Sequence, residues 1–351
     1  MINGSPFMHN ATHTAKLMQR VCLALIPGII VEFYFYGWGV LINLLLCSIY
    51  ALTAEALIMK LRKRSIKQSI SDYSALLTGI LIALSIPPLL PWWMSLIGVW
   101  FAIIFAKQLY GGLGFNPFNP AMVGYVLLLI SFPLNMTTWI SSSELNQQPT
   151  LLQSLELSFF SETAQGLTLQ DFRLIVDGYT MATPLDESKS ALSLGVMSSE
   201  ITHNEHFLAN VTISIWVNLS FLAGGLYLLM ARIIHWHIPI SMLISIGLTA
   251  LLFQLYDDEL FLPAWMHLIM GASMLGAFFI ATDPVSAATT PKGRLIYGAG
   301  IGFIIVIIRT FGGYQDAVAF AVLLLNIAAP TIDHYTKPKV YGSQKKADLN
   351  V

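Results

Sequence analysis

Charged side chains are scarce in this sequence. Asp, Glu, Lys and Arg make up 11% of 351 residues, where a soluble domain carries about 25%. That scarcity excludes an ordinary water-soluble enzyme, and a formal net charge of -1 leaves no basic excess for a nucleic-acid partner. Cysteine is almost missing. The two that occur, Cys22 and Cys47, both fall in apolar runs, which excludes a disulfide framework and an iron–sulfur centre built by this chain. His203 and His206 stand three apart in a polar stretch, too few ligands to suggest a metal, and no metal centre is expected. Short segments of alternating hydrophobicity are also lacking, which excludes a transmembrane β-barrel.

What is abundant is apolar sequence: 56% of the residues are hydrophobic. Runs of membrane-spanning length recur from end to end, so the expected class is an all-α polytopic membrane protein. Ten helices are predicted, at 20–36, 39–60, 73–90, 92–109, 119–139, 211–232, 238–256, 264–282, 294–309 and 315–334. The weakest divisions lie at Tyr36-Gly37-Trp38-Gly39 and at Pro87-Pro88-Leu89-Leu90-Pro91, where a reversal is needed to keep each crossing near 20 residues. The polar start, Met1 to Thr14, lacks the pattern of a cleavable signal, so the first apolar run is expected to be retained.

The basic residues set an orientation. The densest patch, Lys60 to Lys67, belongs on the cytoplasmic side. Ten spans then place both termini inside, along with all of the 18 Lys and Arg residues except Arg173, Lys189 and Arg309. The chain divides into a first membrane half (1–139), a periplasmic loop (140–210), a second membrane half (211–334) and a cytoplasmic tail (335–351).

A shift of 197 positions partly superimposes the chain on itself. It carries Gly28 onto Gly225, Gly79 onto Gly276, Pro87 onto Pro284 and Pro133 onto Pro330. Five spans per half is an odd number, so the second half is expected to run inverted, as in many transport folds. Proline and glycine interrupt several spans, at Pro87-Pro88, Asn116-Pro117-Phe118-Asn119-Pro120, Thr282-Asp283-Pro284 and Gly312-Gly313. Irregular backbone in a membrane survives only where it is buried in protein or lines a cavity. These stretches read either as tight turns or as the lining of a cofactor or ion site.

Intramembrane charges are costly and so point to function. Glu55, inside the second span, and Asp283, at the break in the eighth, are the candidates for an ion path. Glu32, Lys107, Arg309 and Asp333 lie nearer span ends, where long side chains can reach water, and are expected to be structural.

One polar run stands apart: Asp177-Gly178-Tyr179-Thr180-Met181-Ala182-Thr183. Composition alone makes it a Thr-rich loop, and Gly178, Pro184 and Asp186 suggest an exposed turn. The run resembles a flavinylation motif, with Asp177, Gly178, Thr180 and Ala182 preceding an acceptor Thr183. Nearly the whole chain resembles the NqrB/RnfD family of membrane subunits in ion-translocating oxidoreductases. The resemblance includes Ala106 to Gly114, Asn116 to Met122, Gly276 to Phe279 with Thr282 to Val285, and Phe311 to Tyr314.

That resemblance implies FMN joined through its phosphate to Thr183 by a flavin transferase. It implies a bacterial inner-membrane complex with a second periplasmic FMN subunit and iron–sulfur subunits on the cytoplasmic side. It further implies exchange between NADH and ferredoxin coupled to ion transport, and a non-covalent riboflavin. The chain would be incomplete as a catalyst alone, with no catalytic residue of its own. Without the resemblance, the inverted halves would equally describe a secondary transporter or channel with no redox cofactor, or a membrane scaffold.

Overall fold

The computed structural model describes residues 11–139, 148–168, 183–314 and 317–337. Apart from one isolated bridge between Glu162 and Thr168, the regular structure among these residues is helical. Six helices are long and apolar enough to cross a bilayer: Thr14–Tyr36, Trp38–Leu61, Glu205–Met230, His237–Tyr256, Pro291–Phe311 and Val318–Thr336. A 20-residue helix spans about 30 Å, the thickness of the hydrocarbon core. Large apolar residues such as Ile30, Leu45, Leu252 and Ile327 are exposed on their outer faces. In water that would be a cost, and against lipid it is the expected surface.

The other predicted spans are shorter or broken, each for a local reason. The 73–90 span is only Ser74–Ser85. Ile86 turns extended before Pro87, as the residue preceding proline tends to do. Leu89, buried at φ +66°, then leads into Trp92–Gln108. The 119–139 span is split into Pro120–Ser131 and Pro133–Met136, because Pro133 cannot donate to the helix before it. The 264–282 span falls into Ala264–Ile269, Ser273–Leu275 and Gly276–Ile280, with an extended Met270 and Gly271 at φ +62° dividing the first two. The helix expected from 211 begins six residues earlier, where the Asn204 side chain accepts from the backbone N–H groups of His206 and Phe207. Between the first two long helices the break falls where the sequence places it. Gly37, at φ +73°, is the single residue separating them.

Ala102–Gln108 and Gly276–Ile280 are wound as π-helix. Their wider turns are closed by Leu109 N–H to Ile104 C=O at 2.8 Å and Ala281 N–H to Gly276 C=O at 2.8 Å. Such turns commonly sit at functional positions.

A single apolar core joins the two halves, with Leu25, Ile82, Val99 and Met122 from the first and Phe221, Met242, Phe278 and Val322 from the second. The closest approach is between Thr14–Tyr36 and Glu205–Met230. A Cβ on Gly224 would lie 2.0 Å from the Ala24 carbonyl oxygen, and one on Gly28 would lie 2.1 Å from the Phe221 ring. The Gly224 neighbour is backbone, which cannot swing aside. Gly224→Ala is therefore expected to separate the helices and cost roughly 1–3 kcal/mol. Scanning fluorimetry of the detergent-solubilised protein should show a lowered melting temperature, and an unchanged one would mean the helices are not in contact there.

Candidate functional site

Thr183 is the one residue of its motif that the structure describes; Asp177, Gly178, Thr180 and Ala182 lie outside the described residues. Its local structure corrects the exposed turn read from sequence. Thr183 is half-buried and is the N-cap of the helix Pro184–Ser193. Its hydroxyl donates to Asp186 Oδ2 at 2.7 Å and accepts from the Asp186 N–H at 3.3 Å, while its own N–H donates to Asp186 Oδ2 at 3.2 Å. Thr-Pro-Leu-Asp is a helix-start signature, with proline at the first helical position and an acidic residue three after the cap. That signal was legible in the sequence, beside the motif that overshadowed it.

Thr183 lines a cavity between the two halves, of about 1100 Å³ including space open to solvent. Its walls include Leu84, Met122, Tyr125, Trp139, Phe221 and Val318, together with Thr183 and Asp186. An apolar and aromatic lining with a few polar groups at one end is the usual character of a small-molecule site. Tyr36 and Trp139, both on the lining, meet edge-to-face at 5.6 Å. Asn218, buried on the same wall, ties the cavity to the broken helix. Its amide donates to Ile269 C=O at 2.8 Å and Gly271 C=O at 3.0 Å, and its carbonyl accepts from Met274 N–H at 3.1 Å.

Arg309 supports the same break from the far side. Its guanidinium donates to His267 C=O at 2.7 Å, Met270 C=O at 3.2 Å and Ser273 Oγ at 3.1 Å. A cation at the end of the half-helix Ala264–Ile269 meets its free carbonyls and the negative end of its dipole. Arg309 is 5% exposed. Lys107 is 2% exposed and Glu32 is 7% exposed. All three are buried among protein side chains, in contrast to the snorkelling expected from their places near span ends. Only Asp333 fits that expectation in part, being half-exposed and accepting from Thr289 and Thr290.

The Pro184–Ser193 helix is pinned to the membrane core by Lys189, whose ammonium donates to the carbonyl of Gly312 beyond the end of Pro291–Phe311. Burial pulls the Lys189 pKa below its usual value, against the opposing charge of Asp186. Burial likewise raises the Glu187 pKa, which the Asn210 side chain and His206 partly offset.

The two ion-path candidates occupy separate places. Glu55, fully buried, forms an ion pair with Lys107 at 3.0 Å. The same Glu55 Oε1 accepts from Gln108 Nε2 at 2.7 Å and from the Ser69 hydroxyl. Lys107 also donates to Ser74 Oγ at 2.8 Å. All of the donors to Glu55 use one oxygen; Oε2 has no hydrogen-bond partner among the described residues, and Glu55 lines an open pocket with Arg64, Gln68 and Asp72. Asp283 lies elsewhere, after the second π-turn. Its carboxylate accepts from Ser286 Oγ at 3.0 Å and weakly from Val285 N–H at 3.4 Å. It lines a further cavity, of about 660 Å³, with Thr78, Asn119 and Thr282. Asn119 links the halves there: it caps Pro120–Ser131 and reaches the Ile280 carbonyl at 3.4 Å. In the sequence Asn119 stands out only as part of a helix-breaking run.

The cavity fits a flavin ring better than a flavin phosphate. The apolar and aromatic walls suit the ring's dimethylbenzenoid part, and Ser85, Thr137, Ser214 and Asn218 on the same lining offer polar partners for its pyrimidine edge. At the phosphate, the N-terminus of Pro184–Ser193 favours an anion, whereas the Asp186 carboxylate, within hydrogen-bond distance of the acceptor hydroxyl, opposes it. Esterification of Thr183 would replace the proton that now bridges these two oxygens.

Comparison with known proteins covers almost the whole chain. The model of the NQR2, RnfD, RnfE family matches residues 1–342. A protein of Escherichia coli O9:H4 (strain HS), described as the D subunit of an ion-translocating oxidoreductase complex, is 50% identical over 348 residues, 98% of this chain and 99% of the relative. The protein of the same description from Escherichia coli (strain SE11) is 51% identical over 348 residues, with the same coverage.

Proposed function

This chain belongs to the NQR2, RnfD, RnfE family, and from that premise we propose that it is the D subunit of a redox-driven, ion-translocating membrane complex, carrying FMN covalently on Thr183. The observation that carries the proposal is the position of Thr183: the motif's threonine lines a cavity with aromatic walls between the two halves. When bound there, FMN supplies electron transfer in single or paired steps. Thr183 tethers it, Tyr125, Trp139 and Phe221 offer packing surfaces, and the apolar wall of Leu84, Met122 and Val318 excludes water. Electrons come from and pass to partner subunits: a second periplasmic FMN protein and cytoplasmic-side iron–sulfur proteins. A flavin transferase makes the attachment. The whole complex couples exchange between NADH and ferredoxin to ion movement across a bacterial inner membrane. A non-covalent riboflavin belongs to the same reading.

The membrane architecture we propose is ten crossings in two inverted halves, with both termini cytoplasmic and the 140–210 loop periplasmic. Several features support it. Shifted by 197, Trp38–Leu61 overlies His237–Tyr256, Trp92–Gln108 overlies Pro291–Phe311, and Pro120–Ser131 overlies Val318–Thr336. Ser85 and Thr282, paired by the same shift, each donate to the carbonyl four residues back, at 2.8 and 2.6 Å, two residues before a proline. Gly28 and Gly225, also paired, each lie against a phenylalanine ring, Phe221 and Phe278, that leaves no room for a Cβ. In this architecture Glu55, whose Oε2 has no hydrogen-bond partner among the described residues, and Asp283 are the residues offered to an ion on the cytoplasmic side.

The test is intact-mass analysis of the chain from cells that contain the flavin transferase. A gain of one FMN less water, mapped to the peptide holding Thr183, is expected. An unmodified mass, or FMN on another residue, would overturn the assignment.

A further inference from the structure

The cavity behind Thr183 contains a charge that the flavin assignment does not explain. Glu32 lies in the outer part of the Thr14–Tyr36 helix and lines the cavity wall. It is 7% exposed, and among the described residues its carboxylate has no hydrogen bond and no ion pair. The contrast with Glu55 is direct: that carboxylate, also buried, is met by an ammonium, an amide and a hydroxyl. The ionisable groups facing Glu32 across the cavity are Tyr36 on its own helix, Tyr125 on Pro120–Ser131 and Asp186 on Pro184–Ser193. No Lys, Arg or His is among the described lining residues. An isolated carboxylate in such a place costs several kcal/mol or more to keep ionised, so a buried acid of this kind holds a proton or a metal cation.

We propose that Glu32 is a monovalent-cation site on the outer side of the membrane core, taking up a proton or a sodium ion inside the cavity. In chemical terms the carboxylate either becomes the neutral acid or neutralises one bound sodium; no bond to another group forms or breaks, and no electron is exchanged. Hydroxyl and carbonyl oxygens that could share a sodium ion stand on the same lining, at Ser85, Thr137, Ser214 and Asn218. The Thr183 reading enters in one respect only: electrons placed on a ring in this cavity add negative charge to a space that has two carboxylates and no cationic side chain among its described lining. A cation on Glu32 balances that charge locally and ties the cavity's electrical state to the ion supply outside.

The experiment uses the chain in its native membranes, as wild type and as the flavin-free variant Thr183→Asn. Each is treated with dicyclohexylcarbodiimide, which adds to protonated buried carboxyls, and the Glu32 peptide is quantified by mass spectrometry. The expected result is an adduct on Glu32 that falls about tenfold for each pH unit once the acid ionises. Protection by sodium chloride but not by potassium chloride identifies sodium as the cation; equal labelling in the two salts identifies the proton. Infrared spectroscopy supplies a second readout, a carboxylic acid band that Glu32→Gln abolishes while leaving the protein folded. Absence of both the adduct and the band, with no sodium protection, would overturn the proposal. The two readings fail separately. The Glu32 signals are read in a chain without FMN, whereas loss of the Thr183 assignment appears only in the mass of the wild type. In the flavin-loaded complex, Glu32→Gln is further expected to flatten the dependence of flavin midpoint potential on pH or sodium.

Discussion

Thr183→Asn is expected to abolish covalent FMN on this chain while leaving it folded and inserted. Asparagine is as good an N-cap as threonine, because its side-chain oxygen accepts from the first-turn N–H groups. The helix Pro184–Ser193 therefore keeps its start, but the side chain offers no hydroxyl for a phosphoester. Thr183→Ala tests the same chemistry less cleanly. It removes the acceptor and also the cap that now bonds Asp186, at a cost of about 0.5–2 kcal/mol. Thr183→Ser keeps both cap and hydroxyl and should retain some attachment. The measurement is flavin fluorescence in the denatured band, beside the intact mass. The expected pattern is full signal in wild type, a reduced or equal signal in serine and none in asparagine or alanine. Fluorescence retained in the asparagine variant would place the flavin elsewhere. Asp186→Asn is informative alongside, since it removes the charge that opposes a phosphate on Thr183.

The second large effect concerns Glu55 and Lys107. Lys107→Met leaves a buried carboxylate with only Gln108 and Ser69 as donors. Removing one partner of a buried pair typically costs about 3–5 kcal/mol, most of it the uncompensated charge that stays behind. A clearly lowered melting temperature is expected. Glu55→Gln combined with Lys107→Met removes both charges and should recover most of the loss. If the double variant melts no higher than the single one, the ion pair is not what holds this end of the bundle together. The double variant also separates structure from transport. Recovered stability with lost ion translocation assigns Glu55 to the ion path, and recovered stability with translocation intact leaves it as a structural partner of Lys107.

Much of the architecture was legible in composition and punctuation. Low charge and repeated apolar runs specify a helical membrane protein, and glycine and proline mark its breaks. The breaks at Gly37 and Pro87 lie where the sequence puts them, whereas the split at Pro133 falls inside a span read as continuous. The break at Gly271 was not foreseen, since one glycine in an apolar run reads equally well as a packing contact. Its extended neighbour and free carbonyls persist because Asn218 and Arg309, 53 residues before and 38 after, supply the missing donors. No local pattern announces such partners.

The sequence by itself determined the class and the family and singled out the threonine proposed as acceptor, because each is written in residues close together along the chain: apolar runs, basic loops and a short motif. Only the tertiary structure decided what surrounds those residues. It placed Thr183 on a cavity lining, joined Glu55 to Lys107 across 52 positions, and left Glu32 on an apolar cavity wall with no cationic side chain among the described lining. The physical reason is that burial and pairing depend on which helix faces lie against each other. In a chain whose helices are apolar on nearly every side, periodicity does not say which faces those are.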